Sequence, residues 1–392
     1  MSSPNPVLDI LERSLTHARA ESGYDAQLEE LNKMNSGLLG WSGAGNFDVD
    51  FKRIPNKYRQ QLTSGEIIGS QGAFAVVKRI VYRGIPLAQK TIMPNSQRDV
   101  DLIKQETLIG KRVDGHKHIV KLVGTYQSTS LGNNFHHILT FPVAACDLEQ
   151  FLNDFEILRK PSEAYTLGRQ CEIAIRLLAL GFSSSMAPSE IPTAVMGRLI
   201  EIIGCVTTAI KWIHSQDVQH RDLKPHNILL RPGQVYITDF GISRAARNGT
   251  TQSYAGHSTG YSAPEVLAQD EINPEQADVY SLGCIFLHII TLHNGHYDRR
   301  DCSNILCSNP RERQERIAIY VEKDLCLPTE ADARTRPSYE VKPLSAEFIL
   351  SLIADDRTRR PSVEDIDSWL WFNGGTAQIY YGNCCRRHDF EV

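Results

Sequence analysis

The chain has 392 residues, room for two or three domains with a sizeable core, which excludes a peptide-like or disulfide-dependent scaffold. Forty-six acidic side chains against 42 basic ones leave a formal charge of -4, and 41% hydrophobic with 22% charged residues is ordinary for a soluble globular protein. This balance has neither the basic excess of a nucleic-acid binder nor the acidic excess of a disordered chain, so no nucleic-acid partner is expected.

Nine cysteines, scattered from Cys146 to Cys385 without a C-x-x-C pair, have the spacing of neither a disulfide framework nor a zinc site. They point to a reducing, intracellular compartment, cytoplasmic or nuclear. The first residues meet Asp9, Glu12 and Arg13 before an apolar run builds up, unlike a secretory signal. The strongest apolar stretch, Leu282 to Leu292, is 11 residues long and carries His288. That is short of the roughly 20 residues that cross a bilayer, so a buried helix and no membrane partner are expected. The sequence carries no signal of oligomeric state.

Residues 1–61 read as a partly helical N-terminal extension, amphipathic from Val7 to Leu31 and glycine-rich at 38–46. From 62 to about 145 the runs FAVVKRIVY, PLAQKTI, HIVKLVGTY and FHHILTF, broken by one helical segment, predict a small antiparallel sheet with one helix. From about 146 to 371 the chain turns helical: Leu199, Ile202, Ile203, Val206, Ile210 and Ile213 recur at helix spacing. Residues 158–195 are polar and proline-punctuated around one helical piece, and read as an insertion before a helix at 196. Residues 372–392 form a C-terminal tail ending beyond Cys384 and Cys385. The fold class is α+β, a sheet lobe followed by a larger helical lobe.

The most specific string is His220-Arg221-Asp222-Leu223-Lys224-Pro225-His226-Asn227, followed by a turn at 231–233 and a strand running into Asp239-Phe240-Gly241. With Gly233 at the turn of a hairpin, Asn227 and Asp239 are each six residues from it and meet at its open end. An amide oxygen and a carboxylate beside a third oxygen donor, Asp222, suit a hard cation such as Mg²⁺ held against phosphate. Any one of these residues alone is an ordinary turn polar; the eight positions together with Asp-Phe-Gly are not.

These residues resemble the catalytic loop and metal-binding triplet of the eukaryotic protein kinases, a resemblance that extends over Leu62 to Trp371. It implies a bilobal kinase fold and transfer of the γ-phosphoryl group of ATP to protein hydroxyls. Asp222 would accept the substrate proton, Lys224 would steady the phosphate, and Asn227 and Asp239 would hold Mg²⁺. The lysine in His-Arg-Asp-Leu-Lys-Pro is the wording of the serine/threonine branch.

Upstream, Gly69-Ser70-Gln71-Gly72-Ala73-Phe74-Ala75-Val76-Val77 departs from the family's glycine loop, with one residue inserted between the first two glycines and Ala75 in place of the third. Lys90, 13 residues after Val77 across a turn at Arg83-Gly84, resembles the phosphate-binding lysine. Glu106 lies on the apolar helix face of Leu102, Ile109, Gly110 and Val113 and is its expected partner, while Asp99 is accounted for by a capping pair with Ser96. The resemblance implies nucleotide contacts from Gly69, Gly72, Phe74, Val77, Ala88, Lys90 and Val143; Pro142 removes a backbone donor from the segment expected to meet adenine.

Downstream, Ala263-Pro264-Glu265 resembles the end of the substrate-docking loop, with Glu265 expected on Arg360 and Asp278 expected to brace the catalytic loop. The loop before it carries Thr250, Thr251, Ser253 and Tyr254; Thr251 or Ser253 is the expected activating phosphosite, facing Arg221, Arg244 or Arg247. The histidines at 116, 118, 136, 137, 293 and 296 have no metal-ligand spacing. Two rivals stay open: a nucleotide-binding pseudokinase scaffold, favoured by the irregular glycine loop, and a small-molecule kinase of related fold.

Overall fold

Tight turns lay out the sheet. The computed structural model describes residues 24–35, 49–54, 56–71, 75–159, 166–187, 189–240, 244–245, 260–268, 274–294, 299–308, 310–325, 344–375 and 377–386. The chain divides into two units, Met1–Ala144 with Asp239–Ile242, and Ala145–Thr238 with Ser243–Val392.

The first unit contains helix α1 (Tyr24–Asn35), strand β1 (Val49–Asp50), helix α2 (Asn56–Thr63), strands β2 (Gly65–Gln71), β3 (Ala75–Tyr82) and β4 (Ile85–Ile92), helix α3 (Gln97–Arg112), and strands β5 (Lys121–Ser130) and β6 (Asn133–Phe141). The sheet order is β1-β5-β6-β4-β3-β2, antiparallel throughout except that the two-residue β1 runs parallel to β5. The β3–β4 turn has φ of 52° at Arg83 and 84° at Gly84. Positive φ at both central residues matches strand twist and fixes a two-residue loop, which sets Val77 opposite Lys90.

The two faces of this sheet have different covers. On one, Ile80, Leu87, Tyr126 and Leu139 pack with Leu31, Ile54 and Leu62. Leu31 of α1 is fully buried, a contribution of about 1.5–3 kcal/mol, and Gln89 donates to Leu62 O at 2.9 Å and to the Tyr126 hydroxyl at 2.7 Å. Leu31 and Ile54 of the expected extension are therefore part of the sheet unit's core. On the other face Ile92, Leu122 and Ile138 pack with Ile103 of α3.

Helix α3 starts at a capping box in which Ser96 and Asp99 exchange side-chain and backbone bonds. Its buried residues include Ile103, Thr107, Ile109 and Gly110, while Leu102 is 39% exposed. The stripe is turned away from Leu102 because Ile103 is the residue that seats on the sheet.

The second unit is mainly helical. It comprises β7 (Cys146–Asp147), α4 (Leu148–Arg159), α5 (Leu167–Ala179), α6 (Ile191–Ser215), β8 (Val218–Gln219), β9 (Ile228–Arg231), β10 (Gln234–Ile237), β11 (Arg244–Ala245), α7 (Pro264–Ala268), α8 (Pro274–Asn294), α9 (Arg299–Leu306), α10 (Pro310–Ile319), α11 (Ala346–Leu352) and α12 (Val363–Asn373). Strands β10, β9 and β7 form one small sheet, and β8 pairs with β11.

Helix α6 begins at Ile191, before the expected 196, because Pro192 sits in the first turn where its missing N–H costs nothing. Its 25 residues are long and apolar enough to cross a bilayer, contrary to the expectation that the strongest apolar stretch was 11 residues. Leu199, Ile202, Ile203, Ala209, Ile210 and Ile213 are nonetheless at 0% exposure, so this apolarity is spent inside the unit's core. The expected insertion carries α5, tied to α4 by Arg176, whose Nε and Nη2 donate to the buried Asp154 at 2.6 and 2.8 Å.

Candidate active site

Register places the candidate residues of the sheet unit. Gly69 pairs with Val77 and Val77 with Lys90, and Ala88 lies two residues along β4, so Gly69, Val77, Ala88 and Lys90 share one face of the sheet. A β-bulge between Ile67 and Gly69 re-aims β2 just before its glycine. Gly72 and Phe74 lie outside the described residues, as do Thr250, Thr251, Ser253, Tyr254 and Arg247. Val143 is buried just past β6.

On that face Lys90 Nζ donates to Glu106 Oε1 at 2.9 Å and to Asp239 Oδ1 at 3.1 Å. Burial pulls the Lys90 ammonium down, but the carboxylates of Glu106 and Asp239 outweigh it and hold its pKa above the ordinary lysine value. Glu106 is raised, burial outweighing the attraction of Lys90, with Asp239 adding like-charge repulsion. One cation thus serves two carboxylates in a site whose three side chains keep 15–22% of their surface exposed. Asp239 also has φ of 66°, a left-handed backbone uncommon outside glycine, at the entry to the Asp-Phe-Gly triplet.

The candidate residues of the helical unit lie in the loop after β8. Lys224 Nζ donates to Asp222 Oδ2 at 2.7 Å, and Asn227 Nδ2 donates to Asp222 O at 2.7 Å and Oδ2 at 3.2 Å. With its amide nitrogen committed to Asp222, Asn227 has its side-chain oxygen as the remaining ligand atom. The structure thus brings Asp222, Lys224 and Asn227 together in the helical unit, and Lys90, Glu106 and Asp239 together in the sheet unit.

The β9–β10 hairpin corrects one expectation. Its turn is the two residues Pro232-Gly233, with Gln234 opposite Arg231 and Ile237 opposite Ile228, so the residue facing Asn227 is Thr238, whose N–H bonds to Asn227 O at 3.1 Å. Asp239 is one residue beyond that pair. Counting from Gly233 alone assumed a one-residue apex, whereas Pro232 and Gly233, the latter with φ of 67°, are together the two central residues of the turn.

Beneath the loop, Asp278 is fully buried in α8. It accepts from the backbone amides of His220 at 2.8 Å and Arg221 at 2.7 Å, and its Oδ2 lies 2.9 Å from His214 Nε2. Burial pulls its pKa up, but His214, His220 and these amides win and hold it below the usual carboxylate range. Arg221, with φ of 67°, needs such a brace. His220 Nε2 lies 3.0 Å from Thr238 O, linking the loop to the strand that leads into Asp239. Sequence reasoning gave His214 and His220 no role; their partners lie 64 and 18 residues away and no local spacing announces them.

Glu265 and Arg360 form the expected pair, bidentate at 2.6 and 2.9 Å, and Arg360 also donates to Ala354 O and Gln276 O. Ser281 Oγ, one turn from Asp278, donates to Tyr261 O and fixes the segment leading into Ala263-Pro264-Glu265.

The family model described as protein kinase domain matches residues 62–372. The serine/threonine-protein kinase RAD53 of Saccharomyces cerevisiae is 30% identical over 249 residues, 58% of this chain and 25% of that protein. The phosphorylase b kinase gamma catalytic chain, liver/testis isoform, of Homo sapiens is 25% identical over 260 residues, 62% of this chain and 54% of that protein. A putative ribosomal protein S6 kinase alpha-2 of Caenorhabditis elegans is 25% identical over 341 residues, 82% of this chain and 36% of that protein. The chain thus spans about a quarter to about half the length of these relatives.

Proposed function

The chain belongs to the protein kinase domain family, serine/threonine branch, and from that premise we propose that it is an active enzyme transferring the γ-phosphoryl group of ATP to serine or threonine hydroxyls of proteins. The observation that carries this reading is Lys90, an ammonium held between Glu106 and Asp239 on the sheet face that also bears Gly69, Val77 and Ala88. Against a scaffold that only binds nucleotide stand Asp222, Lys224 and Asn227, which phosphoryl transfer needs and nucleotide binding alone does not.

In this reading Lys90 binds phosphate oxygens and Glu106 keeps its Nζ in place. Asp222 accepts the hydroxyl proton, and Lys224, already on Asp222 Oδ2, stabilises charge on the transferred group. Asn227 and Asp239 supply hard oxygen donors of the kind Mg²⁺ takes. Bound Mg²⁺ would neutralise phosphate charge. The Asp278 brace holds the loop in shape before substrate arrives, so orientation costs little at the moment of reaction. Phosphorylation at Thr251 or Ser253 is the activating step, and an intracellular location follows from the cysteine usage.

The test offers γ-labelled ATP and Mg²⁺ with generic proteins, aminoglycosides and choline in parallel. Label on serine or threonine of the proteins alone is expected. Label on the small molecules alone would make the chain a small-molecule kinase, and no transfer with retained nucleotide binding would make it a pseudokinase.

A further inference from the structure

Cysteines that are remote in sequence converge beneath α6. Cys205, fully buried inside that helix, has its Sγ 3.7 Å from Cys384 Sγ, and Thr208 Oγ1, one turn along, lies 3.5 Å from Cys385 Sγ. The three sulfurs lie within 4.8 Å of one another. Tetrahedral zinc–thiolate bonds of about 2.3 Å place neighbouring sulfurs about 3.8 Å apart, so the 3.7 Å separation is the edge of such a tetrahedron.

The surroundings suit ionised sulfur. The Gly382 N–H donates to Cys205 Sγ at 3.3 Å, the outer bond that steadies a metal-bound thiolate. A Cβ at Gly382 would stand 3.4 Å from both Cys205 and Cys384 Sγ and 3.5 Å from Arg198 Nη1, so glycine lets the backbone reach the sulfurs. Arg198, whose Nη1 lies 3.4 Å from Glu201 Oε2, has its Nη2 buried with no hydrogen-bond partner among the described residues, a cation beside the cluster. Three thiolates around a dication carry one net negative charge, which that guanidinium offsets.

The backbone is arranged for the same docking. Gly204 N donates to Tyr380 O at 2.8 Å, and a Cβ on Gly204 would meet Tyr380 O and the Tyr381 ring at 2.6 Å. Tyr381 is buried with its hydroxyl on Asp367 Oδ1 at 2.7 Å, and Arg386 closes the segment on Glu201 at 2.9 Å.

We infer that Cys205, Cys384 and Cys385 bind one thiophilic divalent cation of the zinc class, which staples the C-terminal segment to α6. Each thiol gives up its proton on binding, and one coordination position remains for a nitrogen or oxygen donor. The site is separate from the phosphoryl-transfer residues and does not rest on the proposed activity.

The test uses the full chain without a histidine tag, reduced, loaded with excess Zn²⁺ at neutral pH and desalted. About one zinc per chain is expected by elemental analysis, falling at least tenfold in the Cys384→Ser/Cys385→Ser double variant, with a lower unfolding midpoint of the parent on adding a chelator. A second measurement on the unmodified sequence guards against misfolding of the variant: Co²⁺ in place of zinc should show thiolate-to-cobalt charge-transfer bands of a tetrahedral three-sulfur site. Absence of zinc in the parent, zinc unchanged in the double variant, cobalt spectra without thiolate bands, or a disulfide among these cysteines in freshly purified protein would each overturn the assignment.

Discussion

The two units treat buried charge in opposite ways. In the sheet unit, Lys90 is divided between Glu106 and Asp239, and all three side chains keep 15–22% of their surface exposed. In the helical unit, Asp278 at 0% exposure and Glu265 at 7% have bidentate or multiple donors. The first arrangement can exchange partners at low cost, because all three side chains stay partly exposed and water is near. The second cannot, because removing one member leaves a charge stranded in a low dielectric. These partly exposed and fully buried charges are thus told apart by burial, where a count of ion pairs would class them together.

The largest effect expected is on rate. Asp222→Ala should lower phosphoryl transfer by about 10²–10⁴ while nucleotide binding and the unfolding midpoint stay near the parent's. A variant that transfers phosphate to protein as fast as the parent removes Asp222 from the role of base.

The contrast itself is broken or sharpened by two substitutions measured together. Arg360→Ala should cost about 3–5 kcal/mol in urea unfolding, because Glu265 is left buried and Ala354 O and Gln276 O lose a donor. Lys90→Met should abolish transfer yet cost less stability than Arg360→Ala, since Glu106, already raised in pKa, takes up a proton in place of the lost cation. Equal losses of stability would erase the distinction between the two kinds of site.

Acid titration probes both units at once. His137, stacked on Tyr126, is held down to about 4 by burial first, with His136 and Lys78 adding repulsion. His288, packed against Tyr261, is held down to about 3 by burial and by Arg299. The unfolded chain protonates both near 6.5 and the folded chain does not, so stability falls as pH drops below about 6.5, by about 1.4 kcal/mol per pH unit for each histidine. The loss levels off near pH 4 for His137 and near pH 3 for His288. His137→Gln and His288→Phe should each flatten this acid limb by one histidine's share; an acid limb as steep as the parent's in either variant would sink that residue's part.

The smallest effect tests a local feature. Ser96→Ala should cost about 1 kcal/mol by removing the capping bond to Asp99 N, while leaving the Lys90–Glu106 contact in place. Loss of activity larger than this stability change would mean that the cap also positions Glu106.

What the sequence determined by itself lies within short range. The Arg83-Gly84 turn dictates that Val77 faces Lys90, because a two-residue turn with positive φ admits one register. The Ser96–Asp99 box and the wording around Asp222 are equally local, and each could be read without knowing where the rest of the chain goes. Even the hairpin at Pro232-Gly233 was legible, with a one-residue slip that only the pairing of Asn227 with Thr238 resolved. Tertiary structure decided the rest: that Leu31 is core of the sheet unit, that Ile103 and not Leu102 seats α3, that His214 and His220 serve Asp278 and Thr238, and that Cys205 meets Cys384, 179 positions away. Such pairs have no preferred spacing. Their meeting is set by the packing of whole helices and sheets, which a pattern of neighbouring residues does not encode.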